Sequence, residues 1–416
     1  MNTKRRSDLT VRIFGFVLIL LGTGWLFVQT SEVQTSIAER VLKKLEADWQ
    51  GKVELGSVSV ELVNSFKITD IVVLDNAPYS RDNPVDTLFR AKSISGKIST
   101  ASLLGGGVYF SRVRIQDALF HLAIEPDSSR ALGTRTNLDR IFGFEEKEPD
   151  GYASTPDLFQ IKKLSVNGMR YRMTNYVMPI PHRKGGINWS DLDVTAKFKA
   201  HNVKYTGGRM SGIVDRFSAK EKCGYVIKSL TGRARVGMGK ATIEKIHLID
   251  EWSDLKAPLY SMGWDNVKYD FHDFLNKIRQ ELIIDSGTLS AHSIHAFADI
   301  PDVDITLQMG KSHAKGYLSD MEIERLRFTE PLSGIKGDVS AILTGIPDIQ
   351  NLLTDAKINN LTFTTKGLQR LLKHIGIKAK LSTIAPTRVF SFSAKAKGPL
   401  NRLDVTGNLG SRIGRA

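Results

Sequence analysis

The residues best suited to chemistry are His292 and His295, spaced H-x-x-H with Asp299 close behind. Two imidazoles three apart share a helix face and can grip one zinc ion; on a strand they point to opposite sides. The surrounding alternation predicts a strand, so no metal centre is expected there, and the other histidines are scattered. Asp191 and Asp193 alternate with Leu192 and Val194 as on a solvated strand face, without the D-x-D-x-D-G loop that calcium requires. Cys223 is the only cysteine, which excludes an internal disulfide. In Lys220-Glu221-Lys222-Cys223-Gly224-Tyr225 it reads as a small packed residue and not a nucleophile. There is no G-x-S-x-G, H-E-x-x-H, Walker or dinucleotide motif: Gly237 and Gly239 lack a third glycine, and Gly105 to Gly107 precede a strand. Neither an enzyme nor a cofactor is expected.

The elements around these residues follow from periodicity. From Ser31 to Trp49, apolar residues recur every four positions at Val33, Ile37, Val41 and Leu45, which predicts an amphipathic helix over 31–51 with a Ser31/Gln34 capping box and Gly51 as its end. The period then becomes two. Val53 and Leu55 alternate with charges, Gly56-Ser57 shifts the phase, and Val58, Val60, Phe66, Ile68, Ile71 and Val73 continue it. Ile94, Gly96 and Ile98, then Val108 and Phe110, Val113 and Ile115, and Phe120, Leu122 and Ile124 extend the pattern with turn residues between. This predicts an antiparallel meander over 52–144, greasy on one face. The charged, proline-containing stretch at 145–156 reads as a linker or exposed loop.

Alternation resumes over 157–416, at Phe159 and Ile161, Leu192 and Val194, Ile243 and Leu248, Val303 and Ile305, and Ile323 and Phe328. Two helices are expected within it, one on Phe271, Phe274, Leu275, Ile278 and Leu282, the other on Leu368, Leu371, Leu372 and Ile375. The final run, Val405 to Ser411, reads as a strand in mid-course, so the sequence is expected to be the front part of something longer.

One segment differs from all the rest. Ile13 to Val28 carries no charge, and Lys4, Arg5, Arg6 and Arg12 precede it. Eighteen helical residues from Val11 reach about 27 Å, close to the hydrocarbon thickness of a bilayer. Basic residues on the N-terminal flank place that end in the cytoplasm and export the bulk of the chain. The anchor comprises Ile13, Phe14, Phe16, Leu18, Ile19, Leu20, Leu21, Trp25, Leu26 and Phe27, within residues 1–30. The formal net charge of +14 would ordinarily suggest a nucleic acid. An exported chain meets none, so anionic headgroups are the better match for that charge.

Val33-Gln34-Thr35-Ser36-Ile37-Ala38, Val53-Glu54-Leu55-Gly56-Ser57-Val58, Thr136-Asn137-Leu138 and Phe217 to Tyr225 resemble the N-terminal portion of AsmA-like proteins of the TamB type. The resemblance implies an inner-membrane-anchored periplasmic protein, mostly β, whose elongated, twisted antiparallel sheet forms a U-shaped apolar groove. It further implies transport of phospholipid between the inner and outer membranes and a part in outer-membrane biogenesis. A TamA-type outer-membrane barrel is an implied partner only through a C-terminal domain that this sequence does not contain. The alternative is an assembly factor or scaffold for outer-membrane proteins that carries no lipid.

The physics of a groove is simple. A two-chain lipid exposes around 30 methylenes in water, at ~0.8 kcal/mol each, so bare transfer costs on the order of 24 kcal/mol. A greasy trough removes most of that. The candidate wall is Val58, Val60, Phe66, Ile68, Ile71, Val73, Val113, Ile115, Phe120, Leu122 and Ile124.

Overall fold

A computed structural model describes residues 51–61, 64–76, 79, 86–99, 107–142, 158–346, 348, 351–374, 387–399 and 402–411. The expected anchor from Ile13 to Phe27, the expected helix up to residue 50 and the expected linker at 145–156 lie outside the described residues. Gly51, expected to end that helix, opens the first strand instead. The described chain is mostly strand with a few short helices. Among the described residues no helix is long and apolar enough to cross a membrane. Two compact units divide the chain: Met1–Arg183 with Asn188–Gly224, and Lys184–Ile187 with Tyr225–Ala416.

In the first unit, β1 (Gly51–Glu54) and β2 (Ser57–Glu61) pair end to end along β3 (Ser65–Asp75). Antiparallel pairing continues to β4 (Thr87–Ile98) and to β5 (Gly107–Pro126), one twenty-residue strand where the sequence suggested three short runs. After β6 (Thr134–Thr136) and α1 (Asn137–Phe142), β7 (Leu158–Asn175) lies parallel to β5. Then β8 (Asp191–Thr206) and β9 (Arg209–Glu221) are antiparallel. The β5–β7 pair corrects the expected meander. Parallel neighbours need the chain to return to the starting end between them, and β6 and α1 lie in that connection.

A row of irregular residues crosses this sheet. Asp70, Asp117 and Gly168 have φ of 50°, 49° and 75°. The registers set Asp117 opposite Gly168 and place Lys92 between Asp70 and Asp117. Gly56 bonds Thr69 beside Asp70 and leaves no room for a Cβ there. A left-handed residue resets the pleat, so apolar residues on both sides of the row turn to one face although their spacing changes from two to three. Ile68 and Ile71, Ile115 and Ala118, and Val166 and Met169 are such pairs. Both halves of the strands thus feed one core, in which Val58, Phe66, Phe110, Val113 and Ile161 pack with Ile71. The Gly56-Ser57 phase shift is this row's first member.

The second unit is a meander. β10 (Val226–Gly237), β11 (Lys240–Asp250) and β12 (Asp254–Gly263) pair in order. α2 (Val267–His272) and α3 (Phe274–Lys277) follow. β12 then meets β13 (Arg279–Ile284) and β14 (Ser286–Ser290) as two halves of one rung. After α4 (Ala291–Phe297), β15 (Thr306–Met309) and β16 (Ser312–Tyr317) make the next rung. β17 (Asp320–Glu330), β18 (Ile335–Thr344), β19 (Leu353–Thr364), β20 (Val389–Pro399) and β21 (Asp404–Ser411) complete the order, with α5 (Thr365–His374) between β19 and β20.

Three expectations change here. The helix predicted through Leu282 stops at Lys277, because Gln280 to Ile283 exchange backbone bonds with β12 on one side and β16 on the other. Two ladders outweigh the helical stripe in that segment. The histidine pair lies on α4 and not on a strand, since Ser290 caps His292 and starts a helix. Val303 and Ile305 precede β15, which begins only at Thr306.

Candidate functional site

Cross-strand register converts the alternation into rows. In the first unit Val58, Ile68, Ile94, Ile115, Val166 and Phe198 stand opposite one another in succession, and Phe217 continues the line. A parallel row runs Val60, Phe66, Gly96, Val113, Leu164 and Ala200. Beyond the irregular row, Val53, Val73, Phe89, Phe120 and Tyr171 form a third. Gly96 matters because the Phe66 ring lies where its Cβ would stand, so the aromatic fills the glycine's gap across the strands.

The expected wall therefore shares one face, but its members differ in burial. Val58, Phe66, Ile68, Ile71 and Val113 are 2–8% exposed and packed on each other. Val60, Val73, Ile115, Phe120, Leu122 and Ile124 are half-buried. The first group is closed packing, sealed by the Phe66–Phe110 and Phe110–Phe159 edge contacts at 5.8 and 5.6 Å. Only the second group lines reachable surface.

The second unit carries longer and more open rows. One runs Ala234, Ile243, Tyr260, Leu282, Ala314 and Ile323, and continues through Ala341, Ala356, Ala396 and Val405. The other runs Leu230, Leu248, Leu255, Met309 and Phe328, with Gly287 interposed, and reaches Leu361, Phe392 and Leu409 beyond Gly337. Phe328 covers Gly337 as Phe66 covers Gly96. Most of these residues are half-buried. A concavity of about 400 Å³ beside Met309, Phe328 and Gly337 is lined mostly by the polar alternate positions, among them Gln308, Arg327, Thr329, Lys336, Asp338 and Asn360. The sequence predicts a second groove section over 157–416 but no wall residues within it, because alanine, which carries half of the first row, gives little apolar signal and the spacing of Leu282 suits a helix.

Alternate positions carry charge. Arg325 and Arg327 bond Asp338 at 2.6 and 2.9 Å, and the Arg325 hydrogen bond leads in holding that carboxyl down at about 2. Arg235 pairs Glu244, Lys397 pairs Asp355, and Lys315 pairs Glu322 and Glu324. His313 bridges Glu281 and Glu324. In the first unit Arg170 grips Asp193 at 2.7 and 2.5 Å, which lowers that carboxyl, so Asp193 is an ion-pair partner and more than a solvated side chain. Asp191 accepts from Lys222 at 2.5 Å.

Ring nitrogens of both histidines of the pair are engaged in hydrogen bonds. His292 Nδ1 bonds Asp302 at 2.6 Å, while His295 bonds the carbonyls of Ile300 and Lys184 at 2.6 and 3.1 Å. Among the described residues no group of three or more His, Cys, Asp or Glu could hold a metal. Cys223 is half-buried, in a turn where its amide donates to Glu221.

Comparison with protein-family models, curated proteins and solved structures finds no match to this chain.

Proposed function

We propose that this is an inner-membrane-anchored periplasmic protein, similar to the AsmA and TamB type, that shelters phospholipid acyl chains along its apolar rows and performs no catalysis. The observation that carries this is the row from Ala234 through Leu282 and Ile323 to Val405: small and large apolar side chains in unbroken register, mostly half-exposed, with charge on the alternate positions. A folded core has no use for half-exposed apolar rows of this length. An acyl chain lying along them regains roughly 0.8 kcal/mol per methylene covered. In this reading the apolar rows line a U-shaped groove, and the apolar run at Ile13–Val28 fixes the chain where phospholipid originates.

The test is photo-crosslinking in the full chain. Benzoylphenylalanine at Tyr260 or Phe328 should give phospholipid adducts, while the same group at Ile342, an outward position 50% exposed, should not. Equal lipid labelling at all three positions, or none, removes the reading.

A second reading, an assembly factor for outer-membrane proteins, draws on β21, where all eight residues are exposed and pairing is to β20. Crosslinks from Val405 to nascent barrel proteins, without lipid adducts at Tyr260, would favour it.

A further inference from the structure

The segment between β7 and β8 is built inside out. Asn188 and Ser190 are each 5% exposed, whereas Met178, Ile180 and Trp189 are 57%, 50% and 50% exposed. The polar side chains are turned inward to pin the loop. Asn175 Oδ1 accepts from the amides of Val177 and Met178 at 2.9 and 3.0 Å. Ser190 Oγ accepts from the Ile180 amide at 2.8 Å and donates to Asn188 Oδ1 at 2.7 Å. Asn188 Nδ2 donates to the Ile180 carbonyl at 2.9 Å. Pro179 and Pro181 restrict the backbone further. The apolar tips are thus presented by a braced loop, at no ordering cost on contact.

Their surroundings specify what they meet. From Tyr176 to Ser190 the sequence holds no carboxylate, and His182, Arg183 and Lys184 are consecutive; Asp191, the next residue, stands 3.6 Å from His182 and also pairs with Lys222. Tyr79, 50% exposed, joins the patch through its ring contact with Tyr176 at 5.4 Å. The patch lies at the strand ends where the chain enters the sheet: Gly51 pairs Asp75, Ile124 pairs Asn175 and Thr174 pairs Asp191. Four strand spacings separate β1 from β7, roughly 19 Å. Tyrosine and tryptophan beside basic residues suit the headgroup layer, where a ring is half wetted and cations meet phosphate.

We infer that Tyr79, Met178, Ile180 and Trp189 seat the first unit on a phospholipid surface with anionic headgroups. This rests on the anchored-protein reading for which membrane is met.

The test uses the full chain with Cys223→Ser, labelled with an environment-sensitive fluorophore at Ile180→Cys and reconstituted into phosphatidylethanolamine–phosphatidylglycerol vesicles. Met178→Cys is a second site, and Met210→Cys, 52% exposed in β9 opposite Tyr205 near the far end of β8, is the comparator. The expected result is blue-shifted emission, quenched by spin-labelled lipid, at 178 and 180 but not at 210, and weaker in phosphatidylcholine vesicles. Three results overturn it: a floated chain with aqueous spectra at 178 and 180, which leaves the anchor intact; a blue shift insensitive to spin-labelled lipid, which means a protein covers the loop; and failure to float, which removes the anchor reading as well.

Discussion

Arg140 holds two carboxylates at once, Asp75 at 2.8 and 2.5 Å and Glu125 at 2.8 Å, with all three side chains at most 3% exposed. Breaking a buried network of this kind strands its partners, so Arg140→Leu should cost about 3–5 kcal/mol in urea unfolding. Burial already raises the Glu125 carboxyl, and the arginine opposes that rise. A raised acid contributes stability at low pH and loses it as pH climbs through its folded value. The Arg140→Leu deficit should therefore be smaller at pH 5 than at pH 7; an equal deficit would show that Glu125 is not the stranded group. His121 has the opposite sign. Burial first, then Arg172, depresses its imidazole from 6.5 to about 4, so the native state keeps it neutral. Its contribution is whole above 6.5 and fades as pH falls toward 4. His121→Gln, which can keep the bond to Thr174, should flatten the loss of stability between pH 7 and 4.5.

At the scale of the element, the row of left-handed residues decides which way the side chains face. Gly168 has φ of 75°, and an added Cβ would stand 2.6 Å from Asp117 Oδ1. Gly168→Ala should destabilise by about 1–3 kcal/mol, and Asp117→Gly should recover part of that, since it removes the clash and also suits its own positive φ. Additive effects in the double variant would mean that the two positions do not share one irregularity. The same scale explains α4: the Ser290 cap decides helix over strand, and with it the fate of two histidines whose spacing alone is ambiguous.

Over the molecule, the consequence of the apolar rows is collective. On the proposed lipid-sheltering reading, introducing a charge at Ile323 or Leu282 would put a carboxylate in the path of an acyl chain, at a cost of roughly 2–3 kcal/mol or about 30–150-fold in affinity. Ile323→Asp should reduce the phospholipid recovered with gently extracted full chain by native mass spectrometry, while circular dichroism keeps its strand signal. Unchanged lipid content would count against the rows as the binding surface.

Alternating side chains made the strands legible in advance, because a pleat with one buried face writes its period directly into the sequence. Val58, Phe66, Ile68 and Val113 fall on the expected face for that reason. Whether a face closes on itself or stays open is a different matter, since the same valine fits both. Only the three-dimensional pairing shows Phe66 and Phe110 sealing part of the first unit while Tyr260, Leu282 and Ile323 stay half-exposed in the second. The parallel placement of β7 against β5 and the strand fate of Leu282 were likewise settled by partners distant in sequence. Local periodicity determines which side of a strand is greasy; what meets that side depends on strands brought beside it from elsewhere in the chain.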